Sequence, residues 1–335
     1  MSEDIENIGE NVDRLLSVDV NGRGRVTKLY PIARELQKRP LTLLAAEKLV
    51  ERVKAGDYVV IATGIVMPGT LLPETDGPLG AAALARALDV GLAAKTLFLV
   101  DEPYVGMMEA VARAAGLVVL PHERLAKVRR GASVIVSPVE EEKAKKLAES
   151  VMAEYGPKAM IAVERRGPNE KGIYHSVRGF SMSEYEGKTG PFFDQAISRG
   201  ILTIGIADGC GMESGFGKIK EKAKHLNPLY AKCTCPCGAG IANSTNVDTY
   251  VIMLVSNWGA YGVAACMSAL LNNPDVLHNR DVELAMLQES VRHGAIDGIY
   301  ADPRPWEDGM PGEISCYIVE IMRQIVKNGL RIGKR

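Results

Sequence analysis

The chain has 335 residues, 47% of them hydrophobic, and its 40 basic and 41 acidic side chains leave a formal net charge of −1. That length buries one large core or two modest ones, and the balanced charge gives no electrostatic reason to expect a nucleic-acid partner. The acidic start, MSEDIENIGENVDRLL, lacks the basic-then-apolar pattern of a signal peptide, so a cytoplasmic chain is expected, its six cysteines reduced and too sparse for a disulfide scaffold.

Taken in chain order, residues 1–40 form a less regular segment. Ala45 to Val53 then has helical periodicity, and Asp57 to Ile65 is β-branched, apolar and bounded by glycine, as a buried strand requires. The alternation continues with a strand at Thr96 to Val100, a helix near Tyr104 to Ala115, and strands at Leu117 to Leu120 and Ser133 to Ser137. A charged helix over Val139 to Glu154, a strand at Ala159 to Glu164, a helix around Phe192 to Arg199 and the strand run ILTIGIA follow. Short apolar strands alternating with helices predict an α/β fold. The expected form is a largely parallel sheet with helices on both faces in three layers, followed by a C-terminal elaboration. No linker composition divides residues 1–335, so a single intertwined domain is expected.

Between Asp248 and Asp275 no charged residue occurs, a run long enough to cross a bilayer. Ser256, Asn257, Trp258 and Gly259 interrupt it near the middle, which suits a strand meeting a helix inside a core. No membrane span is therefore expected.

The chemistry concentrates where strands empty into loops. GILTIGIADGCGMESGFGK leaves its strand into a glycine-rich turn carrying Asp208 and Glu213. Ligands of open α/β sheets bind at the carboxyl ends of strands, and hard divalent ions prefer carboxylate oxygens, so a Mg²⁺ or Mn²⁺ site is one reading. A solvated turn that caps the next helix is the other. The turn has neither spacing of a phosphate-cradling glycine loop. LPETDGPLG places Glu74 and Asp76 at the same edge, ahead of a helix whose amino end could hold an anion. AVERRGPNEKGIYHSVRG adds Glu164 with Arg165, Arg166, Arg178 and His175, a mixture suited to clasping an anionic substrate and moving a proton. A packing or surface role is the alternative for His175. The run CTCPC sets Cys233, Cys235 and Cys237 at alternate positions, where they could hold Zn²⁺ or an iron–sulfur centre or remain ordinary thiols. The buried Asn257 of VSNWG needs polar partners, which a ligand or a backbone could supply.

These segments together resemble the D-glutamate cyclase-like C-terminal domain family. The resemblance runs in one order through ETDGPLGAAALARAL, AVERRGPNEKGIYHSVRG, GIADGCGMESGFGKIKE, DTYVIMLVSNWGAYGVA, and VRHGAIDGI with DGMPGE. It implies a metal-dependent enzyme with Mn²⁺ as the expected ion, held by Glu74, Asp76, Glu164, Asp208 and Asp248. Asp208, Glu213 and His175 would be catalytic, and Arg165, Arg178, Asn257 and Thr75 would bind substrate. The chain departs from the family's usual Asp-Gly-Gly-Asn-Glu loop by reading Asp-Gly-Cys-Gly-Met-Glu at 208–213, and from its single cysteine by the CTCPC run. The implied reaction closes D-glutamate to 5-oxo-D-proline with loss of water. Manganese-dependent hydrolysis of a small phosphomonoester is the second reading, and metal binding without turnover the third. Expected partners are a small anionic substrate and further copies of the chain in a homo-oligomer, with no nucleic acid and no membrane.

Overall fold

In the computed structural model, which describes residues 3–332, six parallel strands form one sheet. The elements run α1 (Glu3–Leu16), α2 (Val26–Gln37), α3 (Leu41–Arg52), β1 (Tyr58–Thr63), α4 (Pro78–Leu92), β2 (Lys95–Val100), α5 (Val105–Ala114), the single-turn α6 (His122–Leu125) and β3 (Gly131–Val136). They continue through α7 (Glu141–Tyr155), β4 (Ala159–Val163), α8 (Gly190–Ser198), β5 (Leu202–Ala207), the short α9 (Lys220–Ala223) and α10 (Pro228–Ala231), and β6 (Thr249–Ile252). After these come α11 (Ser256–Leu270), α12 (Arg280–Arg292), the two-residue strands β7 (Trp306–Glu307) and β8 (Met310–Pro311), and α13 (Gly312–Ile332).

The strand order is β3-β2-β1-β4-β5-β6, with every neighbouring pair parallel. The chain reverses its direction of travel across the sheet between β1 and β4, and a crevice opens at the carboxyl ends of strands at such a switch point. Strands β2, β4, β5 and β6 are buried at every position, which explains why they read as unbroken apolar runs without alternation. The predicted strand at Leu117 to Leu120 is reduced to one bridge, Val119 with Ala132, after which the chain turns at Pro121 into α6.

Helices α3, α11, α4 and α5 pack side by side on one sheet face, and α7 with α8 on the other. Outside the three layers lies a further shell, in which the C-terminal elaboration, α12 and α13, packs with α1 against α11, α4 and α5. This shell accounts for the charge-free stretch. Helix α11 is buried from Ser256 to Ala269 because it is sheathed on both sides by protein, and no helix among the described residues is long and apolar enough to cross a membrane. The first forty residues, expected to be less regular, contain α1 and α2. Asp13 of α1 fastens this shell: its carboxylate accepts from the Leu41 and Thr42 amides at 2.5 and 3.2 Å and from Tyr30 Oη at 2.9 Å, covering the bare amino end of α3. At the sheet border, the Gln37 side-chain amide donates to Tyr250 O at 2.8 Å and accepts from Tyr250 N at 3.0 Å, covering backbone groups an edge strand would leave open.

Arg165 ties the strand ends together. Wholly buried, it donates to Asp101 at 2.5 and 2.9 Å, to Gly64 O at 2.8 Å and to Gly187 O at 2.8 Å, linking the segments that follow β1, β2 and β4. Its removal would leave the Asp101 carboxylate buried without a counter-charge. Arg165→Met is expected to lower the unfolding free energy by roughly 3–5 kcal/mol in urea titrations, and adding Asp101→Leu should recover much of the loss. A single variant as stable as the parent would contradict this role.

Candidate active site

The loops after β1, β4 and β5 deliver Glu74, Asp76, Glu164 and Asp208 to one cavity of about 120 Å³ at the switch point. Asp308, from the turn between β7 and β8, joins them, together with Arg23, Arg25, Arg166 and Cys210. It is small beside the roughly 300–1,000 Å³ of drug-sized pockets, and it shares Arg23, Arg25, Val177 and Cys210 with an adjoining hollow of about 250 Å³.

Each acid is held by its local chain. Asp76 accepts from the Ser256 and Asn257 amides at 3.0 and 2.7 Å, so it sits on the amino end of α11. Glu164 accepts from Ser256 Oγ. Its backbone φ is +40°, a left-handed conformation unfavourable for glutamate, and Asp308 shares this feature at +53°. Two strained acids facing one cavity fit the tendency of such backbone to gather at functional sites. The approach to Glu164 also requires glycine at 77, where φ is +108° and a Cβ would lie 2.9 Å from Glu164 Cβ. Asn257 braces this turn: its Oδ1 accepts from the Gly77 and Gly80 amides at 2.8 and 2.7 Å, and its Nδ2 donates to Thr75 O and Glu307 at 3.1 and 3.0 Å. Two amides at the start of α4, expected to serve an anion, are thus occupied by Asn257. Asn257 and Thr75, which donates through Oγ1 to Trp306 O at 2.7 Å, position the loop and do not line the cavity.

Asp208 pairs with Arg25 at 3.0 Å and lies 3.9 Å from Arg23, which bonds Asp308 at 2.9 Å. Glu213 anchors its own loop, accepting from the Cys210 and Gly211 amides at 2.8 and 2.7 Å. The longer loop of this chain therefore folds Glu213 back beside Asp208, and Cys210 at the inserted turn contacts Arg25.

Other expected site residues lie elsewhere. Asp248 precedes β6 rather than following it, so it stands at the opposite sheet edge, where it accepts from Thr203 N and Oγ1 at 2.9 and 3.1 Å. A wider hollow of about 400 Å³ there, lined by Lys48, Arg52, Lys218 and Asp248, is at the amino ends of strands and away from the acidic cluster. Arg165 is consumed by Asp101, Arg178 is exposed, and His175 faces cysteines. Arg23, Arg25 and Asp308 are the residues sequence reasoning missed. They lie outside the strands of the main sheet, Arg23 and Arg25 ahead of α2 and Asp308 in the tight β7–β8 turn, although the glycine-flanked VNGRGR carried a turn signal.

Charge bookkeeping tests whether a cation fits. Five carboxylates face three guanidiniums across the cavity. Arg25, Arg23 and Arg166 are already engaged by Asp208, Asp308 and Glu186, and Glu74, Asp76 and Glu164 form no ion pair among the described residues. Burial followed by repulsion from neighbouring carboxylates pushes Glu74, Asp76 and Glu164 well above the ordinary carboxylate range. Asp308 is pushed up to about 6 and Glu213 to about 8, in both by burial and then Asp208. Asp208 moves the other way: burial would raise it, but Arg25, a hydrogen bond with Glu213, Arg23 and Cys210 together hold it below its ordinary value. Acids that retain their protons for want of a counter-charge are hard oxygen donors that a divalent ion could ionise and neutralise.

The sequence model of the family described as "D-glutamate cyclase-like, C-terminal" matches residues 12–323. Human mitochondrial D-glutamate cyclase is 32% identical over 113 residues, 33% of this chain and 17% of that protein. The chain therefore aligns with less than a fifth of that relative's length.

The raised acids make a pH prediction. In the folded chain they bind protons that the unfolded chain has already released, so stability falls as pH rises through the window between ordinary and shifted values. Without metal, the melting temperature should drop from about pH 5 to about pH 8, the span reached by Asp308 and Glu213. Mn²⁺ should restore it more at the upper end, where it displaces fewer protons. Melting curves that are flat with pH and indifferent to Mn²⁺ would refute the cation reading.

Proposed function

The chain belongs to the D-glutamate cyclase-like C-terminal family, and from that premise we propose that it is a metal-dependent cyclase acting on a small anionic amino acid, D-glutamate to 5-oxo-D-proline. The observation that carries this reading is the excess of buried carboxylates over guanidiniums in a small cavity. Glu74, Asp76 and Glu164 would hold the divalent ion, Mn²⁺ by family resemblance, with Asp208 and Asp308 beside them. Bound there, the ion would polarise the substrate's side-chain carboxylate.

The protein's own residues account for binding and proton traffic. Arg23 and Arg25, part-exposed at the cavity, are placed to take the α-carboxylate, a planar anion that suits a guanidinium fork. In cyclisation the ammonium sheds two protons as its nitrogen bonds to the side-chain carbon. The departing carboxylate oxygen takes up two protons as its bond to carbon breaks, and leaves as water. Acids held near neutrality can carry both transfers, and Asp308, at about 6, is one such group facing the cavity. Ile65, Met67 and Met212 form the apolar wall that keeps bulk water from the ring-closing atoms.

A phosphomonoesterase reading draws on the same arginines, because guanidiniums beside a metal site also stabilise a transferring phosphoryl group. Purified chain with Mn²⁺ should convert D-glutamate to 5-oxo-D-proline in preference to L-glutamate, followed by chiral chromatography. Phosphate release from phosphomonoesters without cyclisation would favour the second chemistry, and neither product would leave metal binding alone. Glu164→Gln should lower kcat/KM by at least about 100-fold, with little loss of thermal stability without metal because a neutral amide replaces an acid that already keeps its proton there. Asp208→Asn should abolish Mn²⁺-dependent turnover, and unchanged turnover would remove the β5 loop from the mechanism.

A further inference from the structure

A second cluster of ligating groups stands apart from the carboxylates. His175, Cys233, Cys235 and Cys237 each direct one donor atom to a common point, all four atoms lying within 4.8 Å of one another. Cys233 Sγ is 3.4 Å from Cys235 Sγ and 3.2 Å from Cys237 Sγ, and His175 Nε2 is 3.2 Å from Cys235 Sγ and 3.5 Å from Cys237 Sγ. An ideal zinc tetrahedron separates its sulfurs by roughly 3.8 Å and nitrogen from sulfur by roughly 3.5 Å. A few tenths of an ångström of relaxation in the thiols accommodates the ion.

The surroundings are those of a metal ligand set. His175 Nδ1 lies 3.1 Å from Ile173 O, and a carbonyl only accepts, so Nδ1 carries the proton and Nε2 turns its lone pair to the thiols. Asn169 Nδ2 approaches Cys237 Sγ at 3.5 Å, the kind of N–H contact that steadies a thiolate. Gly179 lets the two loops meet: its φ is +87°, and a Cβ there would lie 3.0 Å from Thr234 N. An iron–sulfur cluster needs space for several iron and sulfide atoms between its ligands, whereas donors this close enclose a single ion.

We propose that His175, Cys233, Cys235 and Cys237 bind one structural Zn²⁺ that clamps the loop after β4 to the segment after α10. The protein fills all four positions, which leaves none open for catalysis and marks a structural centre. One of the two segments lines the acidic cavity, and the other adjoins a residue that holds the Asp208 loop. Val177, two residues from His175, lines that cavity, and Tyr230, three residues before Cys233, donates to Gly209 O in the Asp208 loop at 2.9 Å. The clamp is independent of the reaction assigned to the acids.

The test is metal content of the full chain, purified under reducing conditions and measured by inductively coupled plasma mass spectrometry. About one zinc per chain is expected. Cys235→Ser and Cys237→Ser should lose it, His175→Cys should keep it by supplying a fourth thiolate, and Glu164→Gln should leave it unchanged. Zinc stripped from the parent chain should speed tryptic cleavage after the exposed Arg178 by about ten-fold, and zinc added back should reverse this. A parent chain that takes up no zinc on reconstitution, that carries iron with sulfide, or whose cysteines titrate as a disulfide pair would overturn the proposal. So would full zinc content in the serine variants.

Discussion

Several carboxylates are forced into one water-poor space, and much of the architecture is the means of holding them there against their mutual repulsion. Parallel pairing of β1, β4 and β5 brings three loops to one edge, but pairing alone does not aim side chains. The aim comes from secondary contacts. The amino end of α11 takes the negative charge of Asp76, Ser256 takes Glu164, and two loop amides take Glu213. Backbone dipoles thereby absorb part of a charge that side-chain cations do not match.

Helix α11 is central to this arrangement in a way its composition conceals. Its first residues serve the site, while its remaining turns are apolar on every side because the sheet layer and the outer helices enclose them. Gly80 of α4 fits against Asn257, where a Cβ would come within 2.8 Å of Asn257 Cα, so the two helices close on each other at the very point where the acidic turn is braced. Packing of the core and positioning of Asp76 are consequently one constraint.

The parallel strands were legible because burial on both faces writes a continuous apolar run, and the acids after β1, β4 and β5 were legible because they follow such runs directly. Position relative to the strand decides the matter: Asp248 stands before its apolar run, and that order already pointed to the amino edge, against its reading as a ligand. Helices α1 and α2 carry apolar stripes, Ile8, Val12 and Leu16 in the first and Val26, Leu29 and Ala33 in the second. Their periodicity was present in the sequence and the expectation of a less regular segment overlooked it, although Pro31 inside α2 is an ordinary helix-breaking signal. Arg23 and Asp308 are 285 residues apart and meet only through the tertiary fold, which a local pattern cannot express. The same holds for His175, whose partners begin 58 residues later in CTCPC, so the fourth donor of the thiol set had no signal in the spacing.

The pairing of Arg23 with Asp308 and Arg25 with Asp208 has a consequence for how the cavity fills. In the ligand-free charge pattern these guanidiniums are spent on acids, so an incoming anion must compete with Asp208 and Asp308 for them. A divalent ion among the carboxylates, as proposed, would relieve that competition by giving the acids another counter-charge. By thermodynamic reciprocity the anion would then tighten the ion by the same factor. On the proposed reading, an acid-rich cavity with arginines at its rim would take cation and anion together, since the anion alone meets guanidiniums already engaged by Asp208 and Asp308.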